Sequence, residues 1–172
     1  MMNKVFPKES LINGIGVFAH IDIRKGNPIL KIDDTRVVTA DNPLREEDDE
    51  HEYHCDYLAG GEIVLMQLPE RHINHSCNPN SFVKTINGAR YVFALSDISA
   101  GEEITYDYCI NSSGDTLWHC NCGSERCRKE IHSDFFHLPI TLQLEYLPLL
   151  DSWYIEEYKT EVEHLLASSG VS

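Results

Sequence analysis

Arg71-His-Ile-Asn-His-Ser-Cys-Asn-Pro-Asn80 sets Asn, His and Ser side chains around one Cys and one Pro, with no helical or strand period. Such a density of short hydrogen-bonding side chains marks a loop that builds a site or ties itself to its own backbone. Gly101-Glu-Glu-Ile-Thr-Tyr-Asp-Tyr108 follows downstream, and Glu103–Tyr108 reads as a strand. On a strand, Tyr106 and Tyr108 share one face. Two phenols on one face can hold an amine by hydrogen bonds; the plainer alternative is that both are packed core residues.

Between these segments lies the clearest hairpin in the chain. Residues 81–86 and 89–94 are rich in β-branched and aromatic side chains, and Asn87-Gly88 joins them. Asn-Gly supplies the two positive φ values of a tight turn. Upstream, Asn13-Gly-Ile-Gly-Val-Phe-Ala19 is a glycine turn running into an apolar strand. It does not fit the dinucleotide fingerprint, which needs a third Gly and a helix. Glycine at such a turn lets a ligand approach the backbone. Further strands are expected at residues 29–32 and 62–67, with a polar stretch, 33–61, between them.

Downstream, Trp118-His-Cys-Asn-Cys-Gly-Ser-Glu-Arg-Cys127 offers three thiols at C-x-C-x4-C spacing. That is one ligand short of a closed tetrahedral zinc site. Cys77 is the natural fourth, with Cys55 and Cys109 as rivals. No C-x-x-C pair is present, which argues against a thiol redox protein. From about Leu138, large apolar residues recur at helical spacings, as one or two amphipathic helices broken near Pro148.

The chain has 172 residues, 42% of them hydrophobic, and a net charge of −14. This is the composition of a globular domain. The acidic balance argues against nucleic-acid binding and favours a basic protein partner. The acidic run Arg45-Glu-Glu-Asp-Asp-Glu-His-Glu52 is expected to be a solvated loop. No apolar run is long enough to span a membrane, and no secretory signal opens the sequence.

Taken together, the G-x-G turn, the R-x-I-N-H-S-C-x-P-N loop, the G-E-E-I-T-Y-D-Y strand and the C-x-C-x4-C tail resemble the SET-domain family of protein-lysine methyltransferases. The resemblance covers about residues 10–131 and includes a cysteine-rich post-SET tail. Residues 62–67 lack the family's usual Asp-Ala-x-x-x-Gly-Asn text, and no residues are available for a cysteine-rich pre-SET region.

The resemblance implies a mainly β fold of short sheets with a knot-like C-terminal threading, to which a helical C-terminal appendage is added. It divides the chain into a SET domain at 1–112, a post-SET zinc segment at 113–131 and the appendage at 132–172. It implies S-adenosylmethionine held by Gly14, Ile15, Gly16, Asn74 and His75, with Tyr108 as the catalytic tyrosine. Tyr106 falls where the family sets the number of methyl groups, and a Tyr there leans towards mono- or dimethylation. It implies one structural zinc on Cys77, Cys120, Cys122 and Cys127, with residues around Ile131 roofing the lysine channel. The substrate would be a basic protein such as a histone tail, and the location cytoplasm or nucleus, which free thiols and zinc suit, with a secreted effector as the alternative. The competing reading is an inactive SET-fold module that recruits a basic partner. The apolar helices must bury a face, either on this chain beside the substrate groove or in a homodimer.

Overall fold

The computed structural model describes residues 4–169. Residues 1–3 and 170–172, the outermost parts of the first and last expected segments, lie outside the described residues.

Four small sheets make up the body. The first has the order β1 (Val5–Glu9), β2 (Ile15–Ala19), β10 (Glu103–Tyr106), β7 (Asn74–His75). The second is β3 (Pro28–Lys31), β9 (Ala89–Ala94), β8 (Ser81–Ile86), and the third β4 (Val37–Val38), β6 (Ile63–Leu65), β5 (Cys55–Tyr57). The fourth pairs β11 (Ser113–His119) with β12 (Glu130–Asp134) around the cysteine-rich segment. The hairpin forms as expected, β8 against β9 from Ser81↔Ala94 to Ile86↔Ala89, with φ of 51° at Asn87 and 76° at Gly88.

The pairing of β10 makes the site. One edge runs antiparallel to β2, with Ile104 opposite Val17. The other runs parallel to β7, with Thr105 opposite Asn74 and Tyr106 opposite His75. A segment far along the chain is thereby seated between the glycine turn and the Asn-His loop.

Two apolar cores result. Val17, Ile73, Val92, Ile98 and Ile104 fill the first, beneath the sheets. Cys77, Cys109, Phe135, Tyr146, Leu150 and Tyr154 fill the second, between the cysteine segment and the C-terminal helices. Each such aliphatic or aromatic side chain contributes roughly 1.5–3 kcal/mol on burial.

Among the described residues three α-helices form where one or two were expected: α1 (Ile140–Tyr146), α2 (Ser152–Glu157) and α3 (Lys159–Ser169). Pro148, which lacks a backbone N–H, lies in the 3-10 turn that ends α1. A second break falls at Tyr158, whose φ of −107° and ψ of 35° leave the helical region. The helices bury their apolar face on their own chain. The Tyr154 hydroxyl donates to the Ser112 carbonyl at 2.8 Å. The Asp151 carboxylate accepts from the Thr85 N–H at 3.0 Å and its hydroxyl at 2.6 Å. The Gly60 N–H donates to Glu157 at 3.2 Å, so α2 also touches the turn after β5.

Other expectations need correction. The polar stretch 33–61 contains β4 and β5, and the strand expected at 62–67 shortens to β6. Part of the acidic run is structural: Glu50 is buried and accepts bonds from Arg36 and Arg45. Those guanidinium hydrogen bonds hold its carboxyl far below the usual range.

Candidate active site

The two glycines of the turn serve different ends. Gly14 has a φ of 45°, and a Cβ there would meet open space, so its backbone face is free to be approached. Gly16 is needed for an internal reason: a Cβ would fall 2.2 Å from Glu103 Oε1. That carboxylate accepts from the Ser10 hydroxyl at 2.8 Å and from Asn74 Nδ2 at 2.9 Å. Asn74 Nδ2 also reaches the carbonyls of Asn13, at 3.1 Å, and Ile15, at 3.3 Å. Its Oδ1 takes no protein donor among the described residues. Gly14, Ile15, Gly16 and Asn74 thus meet in one place, organised by Glu103, which the sequence reading did not single out.

His75 is the joint of the site. Its Nδ1 accepts the Tyr108 N–H at 3.1 Å, which places the ring proton on Nε2, 3.4 Å from Cys77 Sγ. Burial pushes its pKa down to about 4, against the pull of nearby Asp107 and with help from Arg128, so the ring is neutral. Asp107 is fully buried and receives both arms of Arg128, at 2.6 and 2.9 Å. The Arg128 N–H in turn points at Cys77 Sγ at 3.4 Å. Neither Asp107 nor Arg128 was legible as a site residue.

The tyrosine pair is arranged differently from the expected strand face. β10 ends at Tyr106, and Tyr108 sits beyond it, turned by the His75 contact. The rings still meet, with centroids 5.1 Å apart and an angle of 47°. The Tyr108 hydroxyl donates to the Ile73 carbonyl at 2.8 Å, and the residue as a whole is 37% exposed. The Tyr106 hydroxyl approaches Met66 Sδ at 4.0 Å. Desolvation first, then the Asp56 charge, raises both phenol pKa values, so both remain hydroxyls. Trp118 flanks Tyr108 at 6.2 Å and His75 at 5.8 Å. Ile131 itself is a buried core residue of β12. The aromatic side chain that the paired strand β11 brings against Tyr108 and His75 is Trp118.

Cys77, Cys120, Cys122 and Cys127 converge, with all four sulfurs within 4.8 Å of one another. Cys77 Sγ and Cys120 Sγ lie 3.8 Å apart. Tetrahedral zinc with Zn–S near 2.3 Å places its sulfurs about 3.8 Å apart, so the donor set fits that ion. The rivals fall away for geometric reasons. Cys109 is turned to the His132 carbonyl at 3.1 Å, and Cys55 lies on β5, bonded to the His51 carbonyl at 3.8 Å.

Comparison with known proteins assigns the chain to a family. The SET-domain family model matches residues 14–109, more than half of the chain. Histone-lysine N-methyltransferase trr of Drosophila melanogaster is 32% identical over 138 residues, which is 74% of this chain and 6% of that protein. Human histone-lysine N-methyltransferase 2B is 48% identical over 65 residues, 34% of this chain and 2% of that protein. The chain therefore spans only a small part of these relatives. A solved Plasmodium falciparum structure, titled as a histone methyltransferase, has a TM-score of 0.48 at 23% identity and covers 63% of this chain and 95% of that one. With its glycine turn, its Asn-His loop and its Tyr-Asp-Tyr segment all inside the matched span, this chain belongs to the SET-domain family.

Proposed function

We propose that this chain transfers methyl groups from S-adenosylmethionine to a lysine of a basic protein. One observation carries the reading. β10 is wedged between β2 and β7, which joins the glycine turn to Asn74 beside the strand that leads into Tyr106 and Tyr108. The cofactor, when bound, supplies a methyl group on a positively charged sulfur. Asn13, Ile15 and Asn74 would hold its amino-acid end, since an ammonium is matched by backbone carbonyls and the amide oxygen. His75, with its ring committed to Tyr108 and Cys77, would contribute its backbone.

Methyl transfer needs a neutral amine, and a free lysine has a pKa of about 10.4. Burial among Tyr106, Tyr108 and Trp118 disfavours the ammonium, as does a positive sulfur nearby. The two hydroxyls then orient the nitrogen lone pair. Orientation, not strong-base chemistry, is what this site offers. The Tyr106 hydroxyl, bonded only weakly to Met66, is free to hold the amine or a water, which supports mono- or dimethylation. A structural zinc on the four cysteines would clamp the tail to the loop that carries Asn74 and His75. A closed four-thiolate site leaves no position for catalysis. The division at about residues 112 and 131 follows the same logic, with β11 and β12 bracketing the metal segment. The net charge of −14 favours a histone or a similarly basic chain, met in the nucleus or cytoplasm.

The test is incubation of the full chain with methyl-labelled S-adenosylmethionine and purified core histones. Label on lysine that requires Asn74 and Tyr108 is expected. Cofactor binding without transfer to any basic protein tested would leave the reading of an inactive binding module.

A further inference from the structure

Behind the tyrosines lies an ion triad that the mechanism above does not use. Arg90, on β9, is buried. It gives Nε and Nη2 to Asp34 at 3.0 and 2.6 Å, and Nη1 to Asp56 Oδ2 at 2.6 Å. Guanidinium keeps its charge at any working pH, so the triad carries one net negative charge. Asp56 differs from Asp34 in position. It sits on β5, the edge strand of its sheet, with 30% of its side chain exposed. Its second oxygen, Oδ1, takes no donor among the described residues. Asp56 pairs with Val64 on β6, and Met66, just beyond β6, meets the Tyr106 hydroxyl. The segment paired with Asp56 therefore leads directly to the Tyr106 hydroxyl. The field at the phenols agrees: after desolvation, Asp56 is the leading influence on both.

We propose that Asp56 receives the ammonium of the incoming lysine at the mouth of the channel, with Arg90 as the positioning residue behind it. The proposal rests on the lysine-transfer reading above. A partly exposed carboxylate with one oxygen open, on the sheet whose next segment meets the Tyr106 hydroxyl, is an acceptor for a cation. Arg90 orients the carboxylate through one oxygen and leaves the other open. It also offsets part of the charge. An unopposed carboxylate would stabilise the ammonium and hinder its deprotonation. Asp56 thus strengthens lysine binding while raising the pH at which the bound amine becomes neutral. Asp56 shares Arg90 of β9 with Asp34, and its charge acts on Tyr106, Tyr108 and the neighbouring Cys55; Glu52 also acts on Cys55, and Glu70 on Tyr106.

The experiment uses the full chain loaded with S-adenosylhomocysteine, which prevents turnover. The probes are a histone H3 tail peptide and the same peptide with each lysine in turn replaced by uncharged norleucine. Asp56→Asn should weaken binding of the methylated-lysine site's native peptide by about tenfold. It should leave binding of the corresponding norleucine peptide unchanged. With S-adenosylmethionine, the acidic limb of kcat should move to lower pH by roughly one unit in this variant. Asp56→Glu keeps the charge and should restore lysine binding. Asp34→Asn cuts the triad on its far side and should preserve the lysine-to-norleucine ratio, which separates a charge effect from loosening of the fold. Equal losses for both peptides, or the same change of ratio in Asp34→Asn, would overturn the proposal. If the wild-type chain methylates no core histone, the underlying reading fails with it; if it does and the ratio stays fixed, Asp56 alone fails.

Discussion

Tyr108 and Tyr106 stand two residues apart, yet different bonds hold them, and their substitutions should separate. The Tyr108 hydroxyl is fixed on the Ile73 carbonyl and its backbone on His75. Tyr108→Phe should lower methyl transfer about a hundredfold through lost alignment. Calorimetric affinity for S-adenosylmethionine should stay unchanged; turnover at the wild-type rate would remove Tyr108 from the mechanism. The Tyr106 hydroxyl meets only Met66 Sδ among the described residues, so Tyr106→Phe should keep activity and shift products towards higher methylation in mass spectra. Both tyrosines were legible from the motif text. Their geometry was not, because a period of two presumes a strand that in fact stops at Tyr106. Glu103 and Asp107 were hidden for a related reason. A carboxylate reads as surface until its partner, here Asn74 or Arg128, is brought to it by a distant segment.

Among the elements, the joint between the tail and the Asn-His loop is the most revealing. Arg128 reaches Asp107 across the cysteine segment, and Cys77 reaches Cys120 beside it. Asp107→Asn would leave a mostly buried guanidinium without its counter-charge. Breaking a buried pair from one side costs about 3–5 kcal/mol, and denaturant unfolding should show a loss of that order. A change within error would mean solvent already shields the pair. Cys77→Ser should lose zinc in metal analysis, and chelation should abolish transfer before the β-sheet signal in circular dichroism declines. A zinc content unchanged by Cys77→Ser would contradict the four-thiolate site. The ligand spacing was plain in the sequence. The strands β11 and β12 that carry it were not, since Ser113-Gly-Asp-Thr116 has little strand propensity and pairs only because β12 lies alongside.

Over the whole molecule, the helices complete the second core and also touch β8 and the turn after β5. Removing residues beyond 137 uncovers the face that Tyr146, Leu150 and Tyr154 cover. The truncated chain should aggregate or bind hydrophobic dye; one that stayed monomeric with full activity would make the appendage dispensable. The apolar excess of this region was readable, and the choice of its own chain as the surface covered was a matter of tertiary bonds such as Asp151 to Thr85. Acid should act on the body through Glu50. Its depressed pKa contributes stability that is present above its ordinary value of 4.5 and is lost as pH falls below it. Glu50→Gln should therefore flatten that part of the stability curve, whereas an unaltered pH dependence would assign it no role. The central claim concerns what the joined segments do together, and mass spectrometry of core histones after incubation with the full chain and methyl-labelled S-adenosylmethionine tests it most directly. The account predicts labelled mono- or dimethyl-lysine with the wild-type chain and almost none with Tyr108→Phe; label appearing equally with both proteins, or with neither while the cofactor binds, would contradict it.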